Sequence, residues 1–588
     1  MTAAARSSSA CAGGSRSTRD SIRAVSQAAL PRRSSRSHCA PCAEAEWHSS
    51  SMNSGMPPAQ AELLRAAAVI GGVFPAWLLE QLTGHGVDDP LVTALAEQDF
   101  LFAGEQPGTL RFKHGITRDV IYEAVGLHRR REMHRRIAQV LEGRGEGAAQ
   151  EELYEALAYH CAAAALAGPA ARFAELAGDK AMAASALDRA RAQYSAALKA
   201  LDELGPSREL ALRWCAIAQK LGMACVFDPL GLADGVAIFE RGLALARQSG
   251  SMDAIARASY WLGYICYAKG MSKAAIAHGE AALDLATQIG DARLAAQVRA
   301  TLGQSLLAAG DYGRALVLLD AAVDSKRRQS RPGSSLAVGS AYALACKGYL
   351  LGDQGHFAQA DDCFAEALYL VGDSLHQVSA SVRHWISVVY QWQGRWEEAL
   401  RVAERASEIA EHVKSRQQLA MGRALAGYAQ WTLTRDPDAL QSVRDATAWI
   451  DARKGGLATS LNHGWLVDGA VATGRTEEAR RHAARLFMRV RQHDRIGEAL
   501  GCRALARAAA KLNDFVRAEH YLACAERSAQ VRGSAHEAAV NQLCRAQIEV
   551  GRGRVAEAQR LLDSACTAFE VMGMRWHLER AERTRDML

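Results

Sequence analysis

One phrase of about 40 residues recurs from residue 178 to the end of the chain, and it restricts the possible folds more than any other feature. Its clearest statement is 302–322, LGQSLLAAGDYGRALVLLDAA. Leu302, Gly303 and Leu306 share one face of a first helix, and Gly310-Asp311 stops it. Ala315, Leu319 and Ala322 line one face of a second helix, at the three- and four-residue spacing that an amphipathic helix needs. Gly303 and Ala315 are small where two antiparallel helices cross, so the backbones approach closely. The phrase predicts a helical hairpin.

The same offsets fit other segments: a small residue, a turn residue seven later, alanine twelve later and an apolar residue sixteen later. They match Gly263/Gly270/Ala275, Gly348/Gly355/Ala360/Phe364 and Ser387/Gly394/Ala399/Ala403. They match again at Val467/Gly474/Ala479/Ala483, Ala506/Asn513/Ala518/Leu522 and Ala546/Gly553/Ala558/Leu562. Gly427 with Ala439 fits through a Thr434-Arg435-Asp436-Pro437 turn, and Gly178 and Met223 mark two weaker units. The anchors 178, 223, 263, 303, 348, 387, 427, 467, 506 and 546 lie 39 to 45 residues apart. Both 45-residue intervals contain loop sequence, Gly205-Pro206-Ser207 and Arg331-Pro332-Gly333-Ser334-Ser335. Insertions thus fall between hairpins, as a solenoid requires.

This pattern resembles the tetratricopeptide repeat. Gly303, Ala315 and Ala322 match the small eighth residue and the two alanines of that signature, as do Gly348, Ala360 and Ala367. The usual period is about 34, so longer helices are expected here, and the proline that normally closes each unit is mostly absent. The resemblance implies an all-α, right-handed α-α superhelix over 167–588, with first-helix side chains on its concave side. Long-period variants of this kind resemble the C-terminal halves of large bacterial signalling ATPases and nucleotide cyclases.

Composition excludes several classes. The formal charge is +6 against 70 basic and 64 acidic residues, with both signs mingled along most helices. That balance argues against nucleic acid as the partner. No apolar run reaches the roughly 18–20 residues of a membrane helix. Most of the 13 cysteines sit in helical stripes, Cys266, Cys346, Cys363 and Cys544 among them. They read as small hydrophobes in a reducing, cytoplasmic compartment. Cys39-Ala40-Pro41-Cys42 has His38 and His48 nearby, but no fold around it to hold zinc, so no metal is expected.

Residues 1–55 are rich in Ser, Arg, Ala and Gly, with Asp20 the sole acid before Glu44. Two readings fit: a disordered leader, or an upstream extension of a chain that begins at Met52 or Met56. From Pro57 three helices, 59–72, 75–82 and 88–98, precede two short strands, 100–102 and 109–112. That order predicts a winged-helix-like domain over 56–126. AAAVIGGVFP, LVTALAEQDFLF and RFKHGITRDVIYEAV resemble the winged-helix part of signal-transduction ATPases with numerous domains. The resemblance implies that His114, in Lys113-His114-Gly115, senses the phosphates of a nucleotide, although Gly115 replaces the family's Asp. The plainer reading is that His114 packs against or caps the next helix. Residues 127–166 read as connecting helices, the first crowded with Arg129, Arg130, Arg131, Arg135 and Arg136 beside a packing stripe of Ile137, Val140 and Leu141.

No G-x-x-x-x-G-K-[ST] loop occurs, nor an HExxH, nor a G-x-S-x-G elbow after a strand. The chain therefore reads as a non-enzymatic binding and regulatory module without a cofactor, holding a peptide or a partner's helix in its groove. Trp392 and Trp396, four residues apart, are candidate groove aromatics, with core packing as the alternative. A second reading makes the chain the regulatory part of such an ATPase or a cyclase, acting with a separate nucleotide-binding subunit. A third is transcriptional regulation through the winged helix and the Arg129–Arg136 helix.

Overall fold

The computed structural model describes residues 56–144, 151–226, 228–232, 234–327, 335–372 and 375–588. Residues 1–55, with Cys39 and Cys42, lie outside them. Internal contacts divide the chain into one unit ending at Gly143 and another running from Arg144 to Leu588.

In the first unit α1 (Pro58–Ile70), α2 (Ala76–Thr83) and α3 (Pro90–Glu97) enclose Leu64, Leu79 and Leu95. Asp89 caps α3, its carboxylate accepting from the Leu91 N–H at 2.8 Å, and Pro90 occupies the first turn where no N–H is needed. The two expected strands are β2 (Leu101–Ala103) and β3 (Thr109–Phe112). A third, β1 (Val73–Pro75), pairs antiparallel with β3, so the sheet order is β1-β3-β2. Three residues ending in proline give no periodicity to read, yet Pro75 is tolerated because β1 is an edge. α4 (Gly115–Ala124) and α5 (Leu127–Glu142) complete the unit. The basic helix α5, expected as a connector, packs against α1 and α2. Its buried stripe is His134, Ile137, Ala138 and Leu141, so His134 belongs to the apolar face. Among its arginines, Arg129 pairs with Glu62 and Arg130 with Glu123 at 3.0 Å.

The second unit opens with α6 (Tyr154–Ala163) and continues as inner and outer helices in turn. The first hairpins are α7 (Ala167–Ala183) with α8 (Leu187–Asp202), and α9 (Arg208–Cys225) with α10 (Gly235–Ser249). Then come α11 (Met252–Ala268) with α12 (Ser272–Gln288), α13 (Ala292–Ala309) with α14 (Tyr312–Arg327), and α15 (Ser335–Asp353) with α16 (Phe357–Val371). They are followed by α17 (Gln377–Gln393) with α18 (Trp396–His412), and α19 (Arg416–Thr434) with α20 (Ala439–Ala452). The last are α21 (Thr459–Ala472) with α22 (Thr476–Arg491), α23 (Glu498–Lys511) with α24 (Phe515–Arg532), and α25 (Ala535–Gly551) with α26 (Val555–Met572). A closing inner helix, α27 (Arg575–Arg585), ends the array. The ten anchors fall in ten successive inner helices. Most helices run 14–19 residues, which accounts for the period of about 40.

The crossing geometry follows the sequence offsets. A Cβ placed on Gly348 meets the Phe364 ring at 2.6 Å, and one on Gly178 meets Tyr194 at 2.5 Å, both sixteen residues on. On Gly303 it meets Leu319 at 3.1 Å, and on Gly263 the Ala275 carbonyl at 3.4 Å. Ser387 uses the same proximity, donating its hydroxyl to the Ala399 carbonyl at 2.9 Å. The alanines twelve residues on are buried in every case: Ala315, Ala360, Ala399 and Ala558 are all 0% exposed. Ala322 and Phe364 are buried too, as are Ala479 and Ala518. Met223 departs, lying half exposed while its neighbour Gly222 abuts Trp261 of the next inner helix. Cys266, Cys346 and Cys544 are buried within helices, as hydrophobes.

Unlike an open groove, the array winds tightly enough for its successive turns to touch. α15 meets α25, and α17 meets α27. Gly270, at φ 72°, approaches Gly456 so closely that a Cβ would lie 2.2 Å from that residue's carbonyl carbon. At the centre of the contact is Asp353, fully buried at the end of α15. It accepts from Arg532 at 2.5 Å, Ser534 Oγ at 2.7 Å, His536 Nε2 at 2.8 Å, and the Tyr312 hydroxyl. Burial alone would raise its pKa, but the Arg532 charge and the His536 hydrogen bond outweigh burial and hold it well below the carboxylate range.

Two substitutions test this packing. Gly348→Ala forces bulk against Phe364, an overpacking cost of about 1–3 kcal/mol that exceeds the ~0.5–1 kcal/mol gained in helix propensity. Gly313→Ala, in the exposed first turn of α14 with open space at the Cβ, carries only the gain, so urea midpoints of the two variants move in opposite directions. Asp353→Asn takes the nearer carboxylate from buried Arg532, leaving it only Glu537 at 3.9 Å, and lowers the unfolding free energy by about 3 kcal/mol.

Candidate functional site

The touching turns surround an interior lined by inner helices, and two chambers lie along it. The first, about 420 Å³, is walled by α11, α13, α15, α17, α19 and α21. Tyr260, Tyr264, Tyr267, Tyr342, Trp385 and Trp465 give it aromatic surface. Several hydroxyls are already engaged: Tyr267 and Tyr342 lie 3.2 Å apart, and Gln297 donates to Tyr260 at 2.9 Å. Four other wall residues hold buried polar atoms with no hydrogen-bond partner: Gln377 Oε1, His384 Nε2, Gln417 Oε1, and both amide atoms of Asn462. An unmet buried polar group costs about 1–3 kcal/mol, so their concentration around one chamber is unusual for a packed interior.

The second chamber, about 270 Å³, is walled by α17, α19, α21, α23, α25 and α27. Val388, Leu461 and Trp465 belong to both walls and divide the two spaces. Tyr428 stacks on Trp465 with centroids 5.1 Å apart, and Trp396 meets Trp576 edge-on at 5.3 Å. This chamber is charged. Arg435, Arg503, Arg507 and Arg580 face only Asp468 and Glu537 as acids. Arg503 pairs with Glu537 and donates to Asn541 at 2.8 Å. Arg507 pairs with Asp468, which also accepts from the Tyr428 hydroxyl at 3.1 Å. Burial opposes ionisation of Glu537, but Arg503 and its other neighbours, Arg532 among them, together outweigh it and keep the pKa low.

The candidate residues of the sequence fall as follows. Trp392 and Trp396 line the second chamber, and both also pack. Trp392 stacks on His536 at 4.8 Å and meets Tyr349 at 4.9 Å, while Trp396 is 6% exposed. His114 belongs to the first unit, where it is the N-cap residue of α4 without a side-chain capping bond. Among the described residues no group of His, Cys, Asp and Glu is arranged to hold a metal ion, and no helix is long and apolar enough to cross a membrane.

Sequence reasoning missed most of the chamber walls, although a signal existed. The residue immediately after each small anchor faces the interior in seven of the repeats: Tyr264, Gln304, Val388, Tyr428, Asp468, Arg507 and Gln547. A helix places that position about 100° from the crossing face, so the anchor register itself marks the inward residues.

No protein-family model matches the chain, and no curated protein matches it in sequence. Solved structures of repeated helices are loosely similar. The APC/C hetero-tetramer Cut9-Hcn1 aligns over 79% of this chain and 91% of that one, at 14% identity and a TM-score of 0.43. A Rap protein complexed with Competence and Sporulation Factor aligns over 58% and 98%, at 14% identity and 0.38. A signal-transduction ATPase with a tetratricopeptide repeat sensor, from Pyrococcus horikoshii, aligns over 77% and 66%, at 12% identity and 0.34. The solenoid assignment rests on the helices of this chain itself.

His384 offers a pH test of the first chamber's wall. Burial lowers its pKa to about 4 from 6.5, so between those values the unfolded chain takes a proton that the folded chain refuses. The stability contribution is fully present above pH 6.5 and is lost as pH falls toward 4, by up to about 3 kcal/mol. Chemical denaturation at several pH values gives a shallower decline for His384→Gln than for the wild type over that window.

Proposed function

We propose that the second unit is a non-enzymatic binding and regulatory module that takes an extended peptide segment into its interior. The observation that carries this reading is the set of unpartnered amide and imidazole atoms around the first chamber, beside a broad aromatic wall. A peptide backbone offers alternating donors and acceptors that match such groups, and its side chains suit the aromatic surface. A partner's helix, about 10–12 Å across, fits the touching turns less well than a single extended strand does. The contrast with catalysis is chemical: the wall of the first chamber carries amides, hydroxyls and aromatic rings, without an activated nucleophile among its described residues.

Asn462→Ala separates binding from folding. Both amide atoms of Asn462 are unpartnered, so a structural role alone makes its removal neutral or stabilising. Equilibrium dialysis of the full chain against a synthetic octapeptide library, read by mass spectrometry, enriches a defined subset with the wild type. Asn462→Ala loses that enrichment by about tenfold or more at an unchanged melting temperature. A wild-type protein that enriches nothing, or a variant that enriches the same subset equally, overturns the assignment.

The first unit supports a second reading. Its helix–strand–helix–helix–hairpin order supports a winged-helix-like reading of 56–126, with 127–166 leading into the repeats. The resemblance to signal-transduction ATPases implies a histidine set against a nucleotide's phosphates. On this reading the chain works with a separate nucleotide-binding subunit, and His114 contacts the nucleotide's phosphates. Titrating ATP or ADP into the reconstituted pair, with and without His114→Ala, tests it. Equal nucleotide affinity for both forms removes the role of His114.

A further inference from the structure

We infer that the second chamber is a binding site for an oxyanion, a phosphate- or carboxylate-bearing small molecule, held by Arg435, Arg507 and Arg580 over an aromatic floor. The inference depends on this chamber alone and not on what the first one holds.

The two acids in the wall are already committed. Glu537 is held by Arg503, and Asp468 by Arg507 and Tyr428. Among the described residues, neither Arg435 nor Arg580 forms an ion pair with a carboxylate. Each lies over an indole, Arg435 4.6 Å from the Trp431 ring centroid and Arg580 4.7 Å from that of Trp576. Stacking of this kind fixes the plane of a guanidinium and leaves its edge free for two parallel hydrogen bonds, the geometry that carboxylate and phosphate oxygens match. The charges are also crowded. The Arg580 pKa is lowered, first by burial and then by the nearby positive charges of Arg507 and Arg435, with Asp468 opposing. Repulsion among the cations lining this space of about 270 Å³, of which Arg435 is exposed and Arg507 and Arg580 are half-buried, is relieved by an anion between them.

Three further points favour a ligand over a purely structural cluster. Buried arginines elsewhere in the unit end on carboxylates, as Arg532 does on Asp353 and Arg489 on Asp451. Arg435 caps the C-terminal end of α19 and Arg580 stands on α27, and among the described residues no acid pairs with both. The indole N–H of Trp396, buried in the same wall, has no acceptor.

Isothermal titration calorimetry on the full chain, with tryptophan fluorescence read in parallel, tests the site. The probes are inorganic phosphate, pyrophosphate and ATP in one arm, and succinate and citrate in the other. Saturable binding with Kd below about 1 mM in either arm is expected, weakening as salt rises, and the responding arm tells phosphate from carboxylate. Arg580→Gln lowers affinity about tenfold or more and Arg435→Gln less, whereas Arg560→Gln, at the exposed pair with Glu557 on α26, leaves it unchanged. Arg580→Lys keeps the charge but loses the fork, and it falls between wild type and glutamine, which keeps the test valid if the glutamine variant unfolds. Failure of every probe to saturate, or binding indifferent to both Arg580 variants, overturns the site while leaving the peptide reading intact.

Discussion

Close contact between inner and outer helices is the constraint on which the rest of this structure depends. Where Gly303, Gly348 or Ser387 stands at a crossing, the partner helix comes within van der Waals reach of the backbone itself. A helix of this length is marginal alone in water, and each hairpin still leaves an apolar face for the next. Stability therefore accumulates through nearest-neighbour contacts, as in other repeat arrays. The tight crossing also sets how each hairpin is offset from the last. Summed over several repeats, those offsets bring one turn of the coil onto another.

That return is what makes an interior. In a solenoid without contact between turns, residues of the inner helices face open solvent. Here the Asp353 cluster ties residues about 180 apart in the chain. His536 belongs both to this cluster and to the wall of the second chamber, and it stacks on Trp392. Glu537 and Arg503 extend the polar contact along the same wall. The elements that close the coil are thus the elements that shape the charged chamber. A buried ion pair of this kind is weak evidence for net stability, but removing one member is costly, so it specifies which turn meets which.

The repeats were legible because each hairpin is specified locally. Small anchor, turn and alanine recur at fixed offsets, and Gly348 with Phe364 or Gly303 with Leu319 meet where those offsets place them. The closure was not legible. Asp353 reads as an ordinary helix-end acid, and nothing near it in sequence announces Arg532 or His536. β1 escaped for a different reason, being three residues long and ended by a proline. The chamber walls stand between these cases: the positions after each anchor, such as Tyr428, Asp468 and Arg507, carry the inward register. Their chemistry gains meaning only when helices five or more repeats apart are brought round to face one another, as α17 and α27 are.

The long separation within the Asp353 cluster bears on biosynthesis. A ribosome that has just released Asp353 must add 179 more residues before Arg532 exists, a wait of roughly 10–40 s at ~5–20 residues per second. During that time the acid, destined for complete burial, remains in water beside Tyr312. The earlier hairpins stack as they emerge, while the coil stays unclasped until α25 is made. A nascent chain of this protein is therefore unclasped for much of its translation, with the aromatic residues of its interior accessible to solvent and to chaperones.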